Sequence, residues 1–131
     1  MKAERIPKGE LIIRTQTMPA DTNQNGDIFG GWIMSQMDLA GGMLATEIAK
    51  GRIATVAVEG MTFHRPVKVG DAVCVYGHCE RIGNSSIRID IEVWIKPLLR
   101  SENYERDCVT EGVFTYVAID ESGRPRSVPK N

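Results

Sequence analysis

The chain has 131 residues, of which 42% are hydrophobic and 25% charged, with a formal net charge of −1. That length predicts one domain over residues 1–131, and no Pro/Gly/Ser-rich linker divides it. The even charge balance excludes a molecule-wide footprint for DNA or RNA and a basic membrane-surface protein.

Residues 1–9 are polar and read as a loose N-terminal segment. Met1 is followed by Lys2, Ala3, Glu4 and Arg5 rather than by an apolar signal core. Leu11–Thr17 is predicted as a short strand from its β-branched residues, ended by Pro19. Residues 21–27, Asp-Thr-Asn-Gln-Asn-Gly-Asp, are turn-forming throughout. From about Gly31 to Lys50 the residues Ile33, Met37, Ala40, Leu44 and Ile48 recur at helical spacing. Trp32, Met34, Leu39 and Met43 make the other face apolar too, which predicts a helix buried nearly all round. Gly41 and Gly42 cost helix propensity, and their expected return is close approach to another backbone. Gly51 is the predicted stop.

Strands follow at Ile53–Phe63, Ala72–Ile82, Ser86–Lys96 and Asp107–Ile119, with turns at Gly70-Asp71, Gly83-Asn84 and Asp120–Gly123. In Ser86–Lys96 the residues Ile87, Ile89, Ile91, Val93 and Ile95 share one side, the signature of a half-buried antiparallel strand. Pro97–Arg106 reads as a polar loop. The predicted fold is α+β, with one long helix and a curved antiparallel sheet wrapped around it. One sheet edge, and one helix face with it, would then seek a partner chain.

The apolar run Ile28–Thr46 approaches the length of a membrane span, but its glycines and the carboxylate of Asp38 near its middle fit a buried helix better. Cys74, Cys79 and Cys108 form no metal-ligand spacing and fit a reducing cytoplasm. Cys74 and Cys79 fall on opposite strand faces. Met18, Met34, Met37, Met43 and Met61 read as core or as the lining of an apolar slot. His64, beside Arg65 and Pro66, reads as a surface residue.

Asp38 is the lone ionisable residue in that run, flanked by Met37 and Leu39 and without a Lys or Arg at helical spacing. It could cap or pair locally, or serve as a general base or nucleophile in an apolar cleft. The helix entry, residues 23–31, could be an ordinary loop with Asp27 near the N-cap. It could also be an oxyanion site built from glycine amides at a helix N-terminus. Gly31 and Asp38 stand two turns apart on one face, about 10 Å along a helix, within reach of a single substrate. The run from Arg81 through Ser85 and Ser86 could hold phosphate or be a plain hairpin.

The run Asp21-Thr22-Asn23-Gln24-Asn25-Gly26-Asp27-Ile28-Phe29-Gly30-Gly31-Trp32-Ile33-Met34-Ser35-Gln36-Met37-Asp38 closely resembles the YciA-type acyl-CoA thioesterases of the hotdog fold. The likeness continues through Ala54–Val58, Phe63–Asp71, Gly83–Ile87 and the last strand to Pro129. The resemblance implies an acyl-CoA thioester hydrolase, a homodimer with a continuous sheet, and a homohexamer built as a trimer of dimers. It implies an active site at the dimer interface. There Asp38 is the catalytic carboxylate, and Asn23 from the facing subunit positions water or thioester. The Gly30 and Gly31 amides polarise the carbonyl. It implies no metal and no organic cofactor, coenzyme A being part of substrate and product. Arg65, Arg81, Ser85 and Ser86 are the candidate contacts to the coenzyme A phosphates.

Two other readings share the fold. A non-catalytic acyl-CoA-binding module is one; regulators of that type carry an extra DNA-binding segment, for which 131 residues leave no room, and Asp38 favours the enzyme. A hydroxyacyl dehydratase is the other, and it would place a His in the helix or the loop before it, where neither His64 nor His78 falls.

Overall fold

The structure, a computed structural model, describes residues 5–98 and 106–130. Its elements are β1 (Glu10–Gln16), a 3-10 turn at Pro19–Asp21, α1 (Gly30–Ala49), β2 (Ile53–Phe63), β3 (Ala72–Ile82), β4 (Ser86–Lys96) and β5 (Asp107–Ala118). The strands form one antiparallel sheet in the order β1-β3-β4-β5-β2. The predicted bounds of β2, β3 and β4 agree with the structure to the residue, whereas β1, α1 and β5 differ by one residue at their ends. Thr17 leaves the β1 ladder because its hydroxyl donates to Lys68 O and Asp71 O and accepts from Gly70 N at 2.9 Å, a buried latch across the Gly70-Asp71 turn.

The alternation in β4 has the consequence it predicts. Ile87, Ile89, Ile91, Val93 and Ile95 are buried under α1 together with Val73, Val75, Phe114 and Tyr116. Each buried aliphatic side chain contributes roughly 1.5–3 kcal/mol. The helix differs from expectation. It buries Ile33, Met37, Ala40, Gly41, Ala45 and Ala49, but Met34, Leu39 and Met43 remain 37%, 57% and 47% exposed. One sheet covers one side of a helix, so an all-round apolar helix keeps an uncovered face in a single chain. The edge strand β2 is also bare, with Val56 56% and Phe63 47% exposed. An apolar helix face beside an apolar sheet edge marks an association surface.

Two glycine expectations change. Gly41 clears space for a side chain rather than a backbone. A Cβ there would fall inside contact distance of the Tyr116 hydroxyl and 2.6 Å from Ile91 Cδ1. Gly41→Ala is therefore expected to lose about 1–3 kcal/mol to overpacking despite its better helix propensity, read as a lower urea midpoint; an unchanged midpoint would contradict the fit. At the helix end, Lys50 rather than Gly51 takes the left-handed conformation, with φ 55°. Arg126 Nη2 donates to the last helical carbonyl, Ala49 O, at 2.9 Å. A Cβ on Gly51 would lie 2.6 Å from that guanidinium nitrogen, so a larger residue there would push the Arg126 side chain aside.

The convex side of the sheet carries a second small cluster of Cys74, Tyr76, Trp94 and Cys108. Cys79 packs on the main core, so Cys74 and Cys79 occupy opposite faces as predicted. Residues 5–9 are strapped across this side and are not loose. Arg5 lies 5.7 Å from the Trp94 ring centroid and pairs with Glu92 at 2.9 Å and Glu111 at 3.3 Å, while Lys8 pairs with Asp90 at 2.8 Å. Residues 1–4 of the expected loose segment, and residues 99–105 of the expected polar loop, lie outside the described residues.

His64 Nε2 stands 2.6 Å from Glu111 Oε2. This contact first, and Arg5 after it, hold the Glu111 carboxyl below its ordinary value of 4.5 against the opposing effect of burial. A folded-state value below the unfolded one contributes stability above the ordinary carboxylate range, and that stability is lost as pH falls through the folded value. Glu111→Gln is expected to flatten the decline in Tm between about pH 5 and pH 3. An identical decline in both proteins would refute the linkage.

Candidate active site

The loop that enters α1 is built by its own amides. Asn23 Oδ1 accepts from Asn25 N at 2.9 Å and Asp27 N at 3.1 Å, and Gly26 sits at φ 82°, which suits glycine. Asp27 pairs with Lys68, and Ile28 N donates to Val67 O at 2.9 Å. The loop is thereby tied to the segment after β2, and this tie fixes where α1 begins. The residue at the N-cap is Phe29, not Asp27, and it offers no side-chain acceptor. Among the described residues neither Gly30 N–H nor Gly31 N–H has a protein acceptor. Two unpaired donors at the positive end of a twenty-residue helix are chemically able to stabilise negative charge. Gly30 lines a cavity of about 390 Å³ with Ile28, Ile33, Phe63, His64 and Arg65.

Two turns further on, Asp38 is half-buried at the border between core and open helix face. Thr55 Oγ1 on β2 donates to Asp38 Oδ1 at 2.7 Å. Tyr116 on β5 places its hydroxyl 3.2 Å from the same oxygen and 3.1 Å from the Asp38 carbonyl. Burial, and then the neighbouring Asp38 charge, push the Tyr116 phenol far up, so it stays a protonated donor. Among the described residues Asp38 has no cationic partner, and its Oδ2 has no partner at all. Asp38 borders an open groove of about 530 Å³ that is also lined by Leu39, Gly42, Met43, Ile53 and Thr55. A carboxylate anchored by one oxygen, with the other unbonded, beside a largely apolar groove can take a proton from water or attack an electrophilic carbonyl.

Gly31 and Asp38 lie seven residues apart in the continuous helix α1, on one face as the spacing predicts, while Gly30 lines one cavity and Asp38 another groove. Arg65 stands on the Gly30 side and pairs with Asp107. Arg81, Ser85 and Ser86 sit at the β3–β4 hairpin, where Ser86 registers with Val117 and Ser85 O accepts from Ala118 N at 2.8 Å. Phe63, just before Arg65, registers with Thr110 at the other end of β5. The four candidate phosphate contacts are thus split between opposite ends of the sheet. Thr55 and Tyr116 were not among the candidates. The one available signal was a phenol on the core-facing side of β5, beside the apolar Phe114.

Among the described residues no group of three His, Cys, Asp or Glu side chains could hold a metal ion, and no helix is long and apolar enough to cross a membrane. Comparison with known proteins agrees with this architecture. The pattern of the thioesterase superfamily matches residues 25–101. The chain is 57% identical over 126 residues to the acyl-CoA thioester hydrolase YciA of Salmonella typhimurium, covering 96% of this chain and 95% of that one. The crystal structure of a hexameric broad specificity acyl-coenzyme A thioesterase matches with a TM-score of 0.91 at 57% identity, covering 97% of this chain and 86% of that one. A hexameric thioesterase from Yersinia pestis matches with a TM-score of 0.90 at 57% identity, over 96% and 100% of the two chains. With one long helix laid on a five-stranded antiparallel sheet and a near full-length likeness of this degree, the chain belongs to the hotdog-fold thioesterase superfamily, among its YciA-type acyl-CoA thioester hydrolases.

Proposed function

We propose that the protein hydrolyses acyl-CoA thioesters in a cleft shared by two copies of the chain, with Asp38 as the catalytic carboxylate. The observation that carries this reading is the divided site: a half-anchored carboxylate on one groove and an uncapped helix N-terminus on another cavity. A second copy joined along the β2 edge continues the sheet, covers the apolar helix face and sets one chain's Asp38 against the other's Asn23, Gly30 and Gly31. Three such dimers form a hexamer, the assembly named for the related thioesterases.

In the cleft, the Gly30 and Gly31 amides donate to the thioester oxygen, where negative charge develops. Asn23 orients the water. Asp38 Oδ2 takes a proton from that water as its oxygen bonds to the carbonyl carbon. The C–S bond then breaks, the proton passes to the departing sulfur, and a carboxylic acid and free coenzyme A leave. Direct attack by Oδ2 would instead form an acyl anhydride that water opens. Single-turnover hydrolysis in ¹⁸O-water separates the two, since only the anhydride route can place solvent oxygen in Asp38. Neither route calls on a metal or an organic cofactor. Arg65 at the helix N-terminal end, and Arg81, Ser85 and Ser86 from the hairpin of a neighbouring copy, hold the coenzyme A phosphates. The three free cysteines suit a reducing cytoplasm.

Thiol release by the purified protein from acyl-CoAs of graded chain length tests the function. Tight binding of acyl-CoA with no thiol release would favour the non-catalytic binding module instead.

A further inference from the structure

The geometry points to Tyr116 as a positioning residue that holds the Asp38 carboxylate in its working rotamer, with Gly41 present to admit its hydroxyl. This rests on the reading of Asp38 as the catalytic group. Three separate features converge. The Tyr116 hydroxyl reaches both the backbone carbonyl of Asp38, at 3.1 Å, and its Oδ1, at 3.2 Å, so the side chain is tied to the helix that carries it. The Tyr116 ring is fully buried and stacked on Phe114, with centroids 6.3 Å apart, which leaves the hydroxyl little freedom to move. Finally, α1 has a glycine at the one place where a Cβ would collide with that hydroxyl.

The chemical consequence lies in which oxygen stays free. Both hydroxyl donors, Thr55 and Tyr116, land on Oδ1. Thr55 stands on the bare edge strand, whereas Tyr116 approaches from inside the core. Held from two sides, Oδ1 is fixed, and with it the orientation in which the unbonded Oδ2 is offered to a reactant. A misplacement of about 1 Å at a reacting group can cost around a hundredfold in rate. The hydrogen-bond contacts of the Tyr116 hydroxyl among the described residues are both to Asp38, and it acts through that residue.

Tyr116→Phe keeps the ring and removes the hydroxyl. The expected result is a kcat about 10- to 100-fold lower, with the inhibition constant of free coenzyme A unchanged. Gly41→Ala displaces the same hydroxyl from the other side and is expected to lower kcat likewise, together with Tm. The double variant Gly41→Ala/Tyr116→Phe loses the hydroxyl, the nearest obstacle to the new methyl group, and leaves only the flexible end of Ile91 and the ring edge to give way. Its Tm is expected to recover above that of Gly41→Ala, while kcat stays low. A kcat for Tyr116→Phe within threefold of wild type, or a double variant whose kcat recovers along with its Tm, would overturn the proposal. If Tyr116→Phe proves too unstable to assay, the comparison of Gly41→Ala with wild type for kcat against coenzyme A inhibition decides it: parallel loss of both overturns the assignment. Asp38→Ala is measured beside them. An active Asp38→Ala would bring down the reading of Asp38 itself, whereas an inactive Asp38→Ala with a fully active Tyr116→Phe would bring down the positioning role alone.

Discussion

Asp38→Ala is expected to lower thiol release from acyl-CoA by about a thousandfold or more, within the range that a lost general base costs, while folding and coenzyme A binding survive. The structure explains why the damage is selective. Asp38 is half-buried and forms no ion pair among the described residues, so its removal strands no buried charge. Thr55 is exposed and turns to water, and the Tyr116 hydroxyl keeps its second acceptor, the backbone carbonyl of residue 38. The expected stability loss is about 1 kcal/mol, that of one ordinary hydrogen bond. Asp38→Asn keeps the side-chain shape and isolates the charge. Thiol release followed with excess substrate, together with Tm and binding of free coenzyme A, checks all three statements. Wild-type turnover in Asp38→Ala would remove Asp38 from the mechanism.

The second large effect concerns the sharing of the site. Asn23→Ala and Asp38→Ala are each expected to be nearly inactive alone. Mixed in equal amounts after subunit exchange, they are expected to recover about a quarter of wild-type activity. Half of randomly formed dimers are mixed, and each mixed dimer contains one intact site of two. Subunit exchange is verified independently, by native mass spectrometry of differently tagged chains. No recovery despite complete exchange would place Asn23 and Asp38 in the same chain's site. In the single chain Gly30 lines one cavity and Asp38 another groove. Asn23→Ala also removes the acceptor that holds Asn25 N and Asp27 N. A Tm comparison therefore separates a loosened loop from a lost contact in the cleft.

Local signals resolved some elements well. β4 was legible because one of its faces meets the core, which imposes a strict period of two on Ile87, Ile89, Ile91, Val93 and Ile95. The helix was legible as a helix but not in its burial. Periodicity reports which residues are apolar, whereas the number of faces covered depends on what packs against them. Met34, Leu39 and Met43 are as apolar as buried residues and stand open in the single chain. The N-terminal strap was missed because its attachments, Arg5 to Glu92 and Glu111 and Lys8 to Asp90, span more than eighty positions in the chain. No window of local sequence contains both partners of such a contact.

The candidate site shows the same division. Asp38 was identifiable as the lone charge in an apolar run, and Gly30-Gly31 as glycines at a helix entry. Thr55 and Tyr116 carried no comparable mark, since a threonine on an edge strand and a tyrosine in a core strand are both ordinary. Their convergence on one carboxylate oxygen comes from the register of β2 against β5, where Thr55 pairs with Tyr116. That pairing places two hydroxyls side by side opposite the same turn of α1.

By itself, then, the amino-acid order determined the elements, their sequence along the chain, and the residue types able to handle a thioester. Those follow from propensity, periodicity and composition, which act over a few neighbouring residues. The tertiary structure alone decided which oxygen of Asp38 is held and which is free. It also decided that Gly41 answers to a tyrosine hydroxyl, and that the helix N-terminus and the carboxylate open onto different cavities. These depend on strand register and on the packing of one curved sheet against one side of a helix, and both are set by contacts between residues far apart in the chain.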